Sequence, residues 1–249
     1  MSDTAFHEMA DGRRIAFRLF RGTSPALVFL PGYMSDMAGS KAGALLEWAR
    51  GAGRACVLLD YSGCGESAGQ GTGGDFADGT LTRWREEVLE LIDAQVRGPV
   101  VLVGSSMGGW LMLLVGEALG ERLAGMIGVA AAPDFSDWGF DEAQKAELRA
   151  GHTVLEDNPY GPEPTPTHAK FWQDAETLRL LERPIAIDCP VRLLHGQADA
   201  DVPWEVSLRT AAALRSADVQ VVLVKDGDHR LSRAQDIALL LHAVDTLPT

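Results

Sequence analysis

The sequence predicts an α/β fold built on an open, mostly parallel, doubly wound sheet, and three observations support this. Short apolar runs such as 100–103 and 191–195 alternate with amphipathic stretches such as 81–96. Strands that are apolar throughout, each followed by a helix, are typical of a parallel sheet that is covered on both faces. The length of 249 residues, with 46% apolar and 23% charged residues, suits one globular domain with a large core.

The first half of the chain predicts four strands and three helices. Residues 15–20 and 26–30 are short, mainly apolar runs, and the second is closed by the turn signal Pro31-Gly32. Residues 41–50 predict a helix, and 55–59 predict a strand before a glycine-rich loop. The next helix, 81–96, has apolar residues at helical spacing: Leu81, Trp84, Val88, Leu91 and Ile92. A strand at 100–103 and a helix at Met107–Leu119 complete this half.

The second half continues the alternation after one interruption. The remaining predicted elements are strands at 124–131, 191–195 and 219–225, and helices at 203–214 and 233–247. Residues 134–189 show no clear alternation and contain five prolines. We interpret them as a small cap-like insertion over the edge of the sheet, within a single domain that covers residues 1–249.

The composition excludes several classes of function. The net charge of −13 repels phosphate backbones and anionic lipid heads, so neither a nucleic-acid partner nor a stable membrane association is expected. Three cysteines without a CxxC pair disfavour a disulfide scaffold or a thiolate zinc site. The first 14 residues resemble neither a secretory nor a transit peptide, which predicts a cytoplasmic location. No cofactor is implied, and no set of residues has metal-ligand spacing.

Two segments match the G-x-S-x-G pattern, in which a sharp strand-to-helix turn exposes a serine hydroxyl. Gly104-Ser105-Ser106-Met107-Gly108 follows an apolar strand and precedes a long apolar helix. Gly65-Glu66-Ser67-Ala68-Gly69 is followed by further glycines that disfavour a helix. Ser106 is therefore the candidate nucleophile, whereas Ser67 is interpreted as a loop residue and Ser105 as a turn residue.

A serine nucleophile needs a base and a group that orients the base. His229 follows the strand at 219–225 and can reach Ser106 from a strand end, whereas His195 is interpreted as structural. Asp199, in the loop after 191–195, is the candidate acid. Asp201 lies beside Val202-Pro203, and we expect it to cap the following helix.

The developing oxyanion needs two N–H donors. The backbone amide of Met107, at the start of its helix, is one candidate. The amide of Tyr33, in the loop after 26–30, is the other. Phe171 and Trp172, in the insertion, are candidates for contact with the substrate.

Taken together, these residues resemble the α/β-hydrolase superfamily over essentially the whole chain. The stretches Leu30-Pro31-Gly32-Tyr33-Met34-Ser35, Asp60-Tyr61-Ser62-Gly63 and Asp228-His229-Arg230 are more specifically similar to a group of mitochondrial abhydrolases with palmitoyl-protein thioesterase and acyl-glucuronide esterase activity. The resemblance implies a serine hydrolase of acyl thioesters or esters, with a triad of Ser106, Asp199 and His229.

Two rival functions accompany this expectation. A hydrolase-like protein that binds a small molecule with little turnover would keep the same pocket. Dehalogenases and epoxide hydrolases of this fold carry an aspartate at the position of Ser106, which disfavours them. The expected partner is a small-molecule or acylated substrate, and neither its chain length nor the choice between ester and thioester follows from the sequence.

Overall fold

The computed structural model describes residues 4–159 and 161–248. Its centre is an eight-stranded sheet with the spatial order β1-β2-β4-β3-β5-β6-β9-β10. These strands are β1 (Ala5–Glu8), β2 (Arg14–Phe20), β3 (Thr23–Leu30), β4 (Arg54–Leu59), β5 (Val100–Ser105), β6 (Leu123–Val129), β9 (Val191–Gly196) and β10 (Val219–Val224). The six strands from β4 to β10 in this order run parallel, while β1 and β2 form an antiparallel edge.

Helices cover both faces of the sheet. They are α1 (Ser40–Ala52), α2 (Leu81–Gln95), α3 (Met107–Leu119), α4 (Phe135–Trp138), α5 (Glu142–Arg149), α6 (Ala169–Glu176), α7 (Glu205–Ala213) and α8 (Ala234–Thr246). One apolar cluster, which includes Trp84 and Trp110, lies under α2 and α3. A second cluster, which includes Leu45 and Val244, lies under α1 and α8. The predicted fold class is confirmed.

The edge strand β1 was not predicted from the sequence. Its four residues pair antiparallel with β2, and Ala5, Phe6 and Glu8 are exposed. A strand with so little buried surface has no apolar run by which the sequence could identify it. Its backbone hydrogen bonds to β2 hold it in place.

Residues 134–189 contain short elements that the sequence did not predict. They form α4, α5 and α6 together with a two-stranded antiparallel hairpin of β7 (Val154–Glu156) and β8 (Thr165–Thr167). Phe171 of α6 belongs to the main apolar cluster, next to Trp84 of α2. The segment therefore packs directly against the body of the domain.

Candidate active site

Ser106 lies at the sharp turn between β5 and α3. Its backbone has φ 55° and ψ −124°, a conformation that residues with a side chain rarely adopt. The Ser106 amide donates to the carbonyl of Val129 at 3.0 Å, and the Ser106 carbonyl accepts from Ala132 at 3.0 Å. These bonds to β6 and the residues after it hold the turn in the strained conformation, so its hydroxyl is presented at the carboxyl end of the sheet.

The glycines around Ser106 are required by close backbone contacts. A Cβ atom on Gly104 would lie 2.4 Å from the carbonyl oxygen of Gly108. A Cβ atom on Gly108 would lie 2.1 Å from the carbonyl oxygen of Leu30, at the end of β3. Both distances are shorter than van der Waals contact, so only glycine lets α3 start this close to β3 and β5.

His229 joins Ser106 to Asp199 by two hydrogen bonds. Its Nε2 atom is 3.1 Å from the Oγ atom of Ser106, and its Nδ1 atom is 2.9 Å from Oδ2 of Asp199. The side chain of Asp199 is fully buried, and that of His229 is 14% exposed. The structure therefore brings together the three residues that the sequence places after β5, β9 and β10.

The Asp199 carboxylate accepts hydrogen bonds at both oxygens. Its Oδ1 atom accepts from the amides of Asp201 and Val202, at 2.9 and 2.8 Å. Its Oδ2 atom lies 3.1 Å from Nε2 of His195, in addition to its contact with His229. Burial raises the pKa of Asp199, but the hydrogen bonds from His195 and His229 outweigh it and hold that pKa well below the usual range.

Two further residues, His195 and Asp201, lie near the Asp199 carboxylate or His229. His195, interpreted from the sequence as structural, contacts the same carboxylate oxygen as His229. A histidine four residues before the candidate acid was the available signal. The prediction that Asp201 caps a helix is wrong, because α7 begins at Glu205 with Trp204 at its N-cap. Instead, Oδ2 of Asp201 lies 4.0 Å from Nε2 of His229.

The two candidate oxyanion donors belong to residues near the Ser106 turn. Met107 is the first residue of α3, and Tyr33 follows Gly32, where a Cβ atom would be 3.2 Å from the Ser106 Cβ. Among the described residues, neither amide has a hydrogen-bond acceptor within the protein. Two N–H groups beside one hydroxyl can stabilise negative charge on a substrate oxygen.

Phe171 and Trp172 are packing residues in this structure. Phe171 is 2% exposed, and its ring centroid lies 4.9 Å from that of Tyr33. Trp172 is 4% exposed and donates from Nε1 to the carbonyl of Ser136 at 2.8 Å. Both residues were expected to contact the substrate, but here the Phe171 ring packs between the insertion and the domain, and the Trp172 ring packs within the insertion, against Phe140 and Leu148.

Ser67, in the second G-x-S-x-G segment, is a buried structural residue. Its Oγ atom accepts from the amide of Ala16 at 2.8 Å and donates to the carbonyl of Asp60 at 2.7 Å. Both interactions join the glycine-rich loop to β2 and to the end of β4. The Ser67 hydroxyl is thus engaged in hydrogen bonds with the backbone, both as acceptor and as donor.

Two cavities lie near the carboxyl end of the sheet. One of about 250 Å³ is lined by residues after β3 and β10, among them Ser35, Lys41 and Arg230. The other, of about 440 Å³, lies between α4 and the Asp199 loop, where Trp138 and Trp204 are among its lining residues.

Within residues 4–159 and 161–248, no cluster of three or more His, Cys, Asp or Glu side chains could hold a metal ion. In the same ranges, every helix is too short or too polar to span a bilayer.

Comparisons with known proteins agree with this arrangement. The alpha/beta hydrolase family matches residues 27–243. The palmitoyl-protein thioesterase ABHD10, mitochondrial, from Homo sapiens is 39% identical over 252 residues, covering 98% of this chain and 79% of that protein. The Mus musculus protein of the same name is 40% identical over 239 residues, covering 94% and 78%. These relatives are named as mitochondrial, and this finding contradicts the cytoplasmic location predicted from the sequence.

Solved structures extend the similarity to three dimensions. The structure of alpha/beta hydrolase domain-containing protein 10 from mouse has a TM-score of 0.90 and 36% identity, with 98% of both chains covered. A putative hydrolase from Agrobacterium vitis S4 has a TM-score of 0.89 and 35% identity, again over 98% of both chains. The chain belongs to the alpha/beta hydrolase family, and it is an ester or thioester hydrolase.

Proposed function

We propose that the protein hydrolyses acyl thioesters or carboxylic esters through an acyl-enzyme intermediate, with Ser106 as nucleophile, His229 as base and Asp199 as the residue that orients His229. The observation that carries this proposal is the continuous path of hydrogen bonds from Ser106 Oγ through His229 to Asp199, at 3.1 and 2.9 Å. Such a path is what converts a weakly nucleophilic hydroxyl into a reactive one.

Acylation begins when the Ser106 hydroxyl attacks the acyl carbonyl carbon. The Oγ–C bond forms while the hydroxyl proton passes to Nε2 of His229, and the carbonyl oxygen becomes an oxyanion. When the tetrahedral intermediate collapses, the bond from the carbonyl carbon to the leaving sulfur or oxygen breaks. His229 then gives its proton to that leaving atom. Asp199, ionised and buried, stabilises the transient imidazolium.

Deacylation repeats the same steps with water. A water molecule gives a proton to His229 and adds to the acyl carbon, and the new intermediate expels Ser106, which regains its proton. In both halves, the amides of Tyr33 and Met107 are the proposed donors to the oxyanion. Their position beside Ser106 and their lack of an acceptor within the described protein support this role.

The name of the curated relatives supports acylated thiols as the substrate class. The human and mouse proteins are named as palmitoyl-protein thioesterases. We extend this to the present chain as deacylase activity toward long-chain acyl thioesters, with carboxylic esters as the second substrate class. The triad described above can cleave either bond, since both reactions pass through the same intermediate.

The test is a comparison of matched esters and thioesters with acyl chains of two to sixteen carbons. We expect kcat/KM to rise with chain length and Ser106→Ala to lower kcat by about 10⁴- to 10⁶-fold without loss of folding. Ser67→Ala, the matched control in the second motif, should keep its rate per folded molecule. Wild-type-like turnover in Ser106→Ala would disprove the proposed nucleophile, and ligand binding without turnover in the wild-type protein would favour the binding-protein alternative.

A further inference from the structure

The carboxylate of Asp199 has a second imidazole partner. His195 lies in β9, fully buried, and its Nε2 atom is 3.1 Å from Oδ2 of Asp199, the oxygen that also contacts His229. The same Nε2 atom lies 3.1 Å from the carbonyl oxygen of Val202. The Nδ1 atom on the other side of the ring is 2.7 Å from Oγ of Ser207 in α7.

These contacts place a hydrogen on Nε2 of His195. A backbone carbonyl can only accept, so Nε2 must carry the hydrogen that it shares between Val202 and Asp199. Ser207 is 1% exposed, and its hydroxyl hydrogen needs an acceptor. Nδ1 of His195, 2.7 Å away, is the hydrogen-bond partner of this hydroxyl. His195 therefore donates from Nε2 toward Val202 and Asp199.

We propose that His195 is a positioning residue for the reaction, which holds the Asp199 carboxylate in the orientation that His229 requires and takes up part of its negative charge. The proposal deepens the function proposed above, on which it rests. Val202 and Ser207 hold the His195 ring, His195 and two amides hold Asp199, and Asp199 in turn holds His229. The hydrogen-bond partners of His195 are Ser207, Asp199 and Val202, so it acts on His229 and Ser106 through Asp199.

The shared oxygen gives His195 an effect on the pH profile. Two donors on Oδ2 divide its charge, so loss of His195 leaves more of that charge for His229. A stronger anion beside Nδ1 favours the imidazolium form, and the base then becomes available only at higher pH. Asp201, whose Oδ2 atom lies 4.0 Å from Nε2 of His229, is a second negative charge that favours the imidazolium form of His229. The nearby cation Lys41 of α1 donates to the carbonyl oxygen of Arg230 and interacts electrostatically with Asp228 and Asp236.

Two amide substitutions of His195 distinguish the loss of the hydrogen bond to Asp199 from the loss of side-chain packing. In His195→Gln, the side-chain nitrogen can occupy the place of Nε2 and donate to Asp199. In His195→Asn, the shorter amide reaches the place of Nδ1 and leaves Asp199 without this donor. We expect His195→Asn to lower kcat/KM by about 10- to 100-fold, the effect of one hydrogen bond to a charged group. We also expect the acid limb of its pH profile to move to higher pH, with both effects largely reversed in His195→Gln.

The experiment measures kcat/KM from pH 5 to 9, with each variant normalised to the sites titrated by a serine-directed fluorophosphonate. Ser207→Ala, which frees Nδ1, should give a smaller shift in the same direction. If His195→Asn per titrated site has the rate and acid limb of the wild type, or if both amide variants lose rate equally with an unchanged acid limb, His195 has only a structural role. Failure of the triad itself is recognised separately, because Ser106→Ala would then remain active.

Discussion

The Tyr33 hydroxyl donates a hydrogen bond to the carbonyl oxygen of Pro166 at 3.0 Å. This contact joins the loop after β3, whose amide is a proposed oxyanion donor, to strand β8 of the 134–189 segment. Burial raises the pKa of Tyr33, so the hydroxyl remains protonated and able to donate at neutral pH. The side chain and the amide of Tyr33 thus have separable roles.

We predict that Tyr33→Phe destabilises the fold by about 1 kcal/mol, because the buried end of the side chain loses one hydrogen bond. The rate per titrated active site should stay within about threefold of the wild type, since the backbone amide is unchanged. Urea unfolding and titrated kcat measure the two effects. A fall in kcat per titrated active site of much more than threefold would instead assign the hydroxyl a part in catalysis.

Two helical glycines should respond oppositely to alanine. Gly43 of α1 is exposed and has open space where a Cβ atom would lie, so Gly43→Ala should stabilise the protein by up to about 1 kcal/mol. At Gly109 of α3 a Cβ atom would lie 2.4 Å from the Cβ of Ala131, and overpacking should cost about 1–3 kcal/mol. Unfolding in urea compares the pair, and changes of equal sign would contradict the packing described here.

Glu87 is a buried acid that we expect to be important for stability. Its carboxylate accepts from the amide and hydroxyl of Ser62 and from Arg13, whose own side chain is 7% exposed. Glu87→Gln should cost about 3 kcal/mol, because Arg13 would keep its charge in a buried place without this partner. The matched control is Glu86→Gln, an exposed partner of the same arginine, which should cost at most about 1 kcal/mol.

The acid stability of the protein should depend on Asp199. Its folded-state pKa lies below that of an unfolded aspartate, about 3.9, so the ionised form stabilises the fold above that pH and the stabilisation disappears as the pH falls. We therefore expect the free energy of unfolding of the wild type to decrease more steeply between about pH 5 and 3 than that of Asp199→Asn. Asp93→Asn, at an exposed carboxylate, should keep the wild-type slope. Equal pH dependence of the free energy of unfolding for the wild type and Asp199→Asn would contradict the lowered pKa of Asp199.

The three buried or half-buried thiols should differ in reactivity. Burial raises the pKa of Cys56 and of Cys64 to about 12, and that of Cys189 to about 11. Only Cys189 is partly accessible, so it should be the first thiol alkylated by iodoacetamide in the native protein. Mass spectrometry of the labelled peptides measures this order, and Cys189→Ser removes the first modification. Early labelling of Cys56 would contradict its burial.

The parallel part of the sheet was predictable because its strands are buried on both faces and therefore read as apolar runs. Helix α3 matches its predicted bounds, Met107–Leu119, since every turn of it is apolar and its start is marked by the elbow glycines. By contrast, β1 and the hairpin of β7 and β8 have few buried side chains. Their formation depends on backbone pairing with the neighbouring strand, which composition does not reveal.

The positions of Ser106, Asp199 and His229 could be predicted because each follows a recognisable strand, although their roles remain proposals. The second contact of Asp199 could not, because it depends on the direction in which His195 leaves a strand with both faces buried. The same holds for Phe171: an aromatic residue in a proline-rich segment gives no indication of whether it faces a pocket or Tyr33. The positions of these two side chains are determined by contacts with other segments of the folded chain.

The contact between Ser106 and His229 spans 123 residues of chain, and the loop with His229 follows β10, which comes after every other strand of the described sheet in the sequence. On the ribosome, the turn that bears Ser106 emerges long before the proposed base. Under the proposed mechanism, a growing chain that has formed only β3, β4, β5 and β6 carries a serine no more reactive than that of a free peptide. Hydrolytic activity would then begin only after β10 and the loop that follows it have joined the sheet.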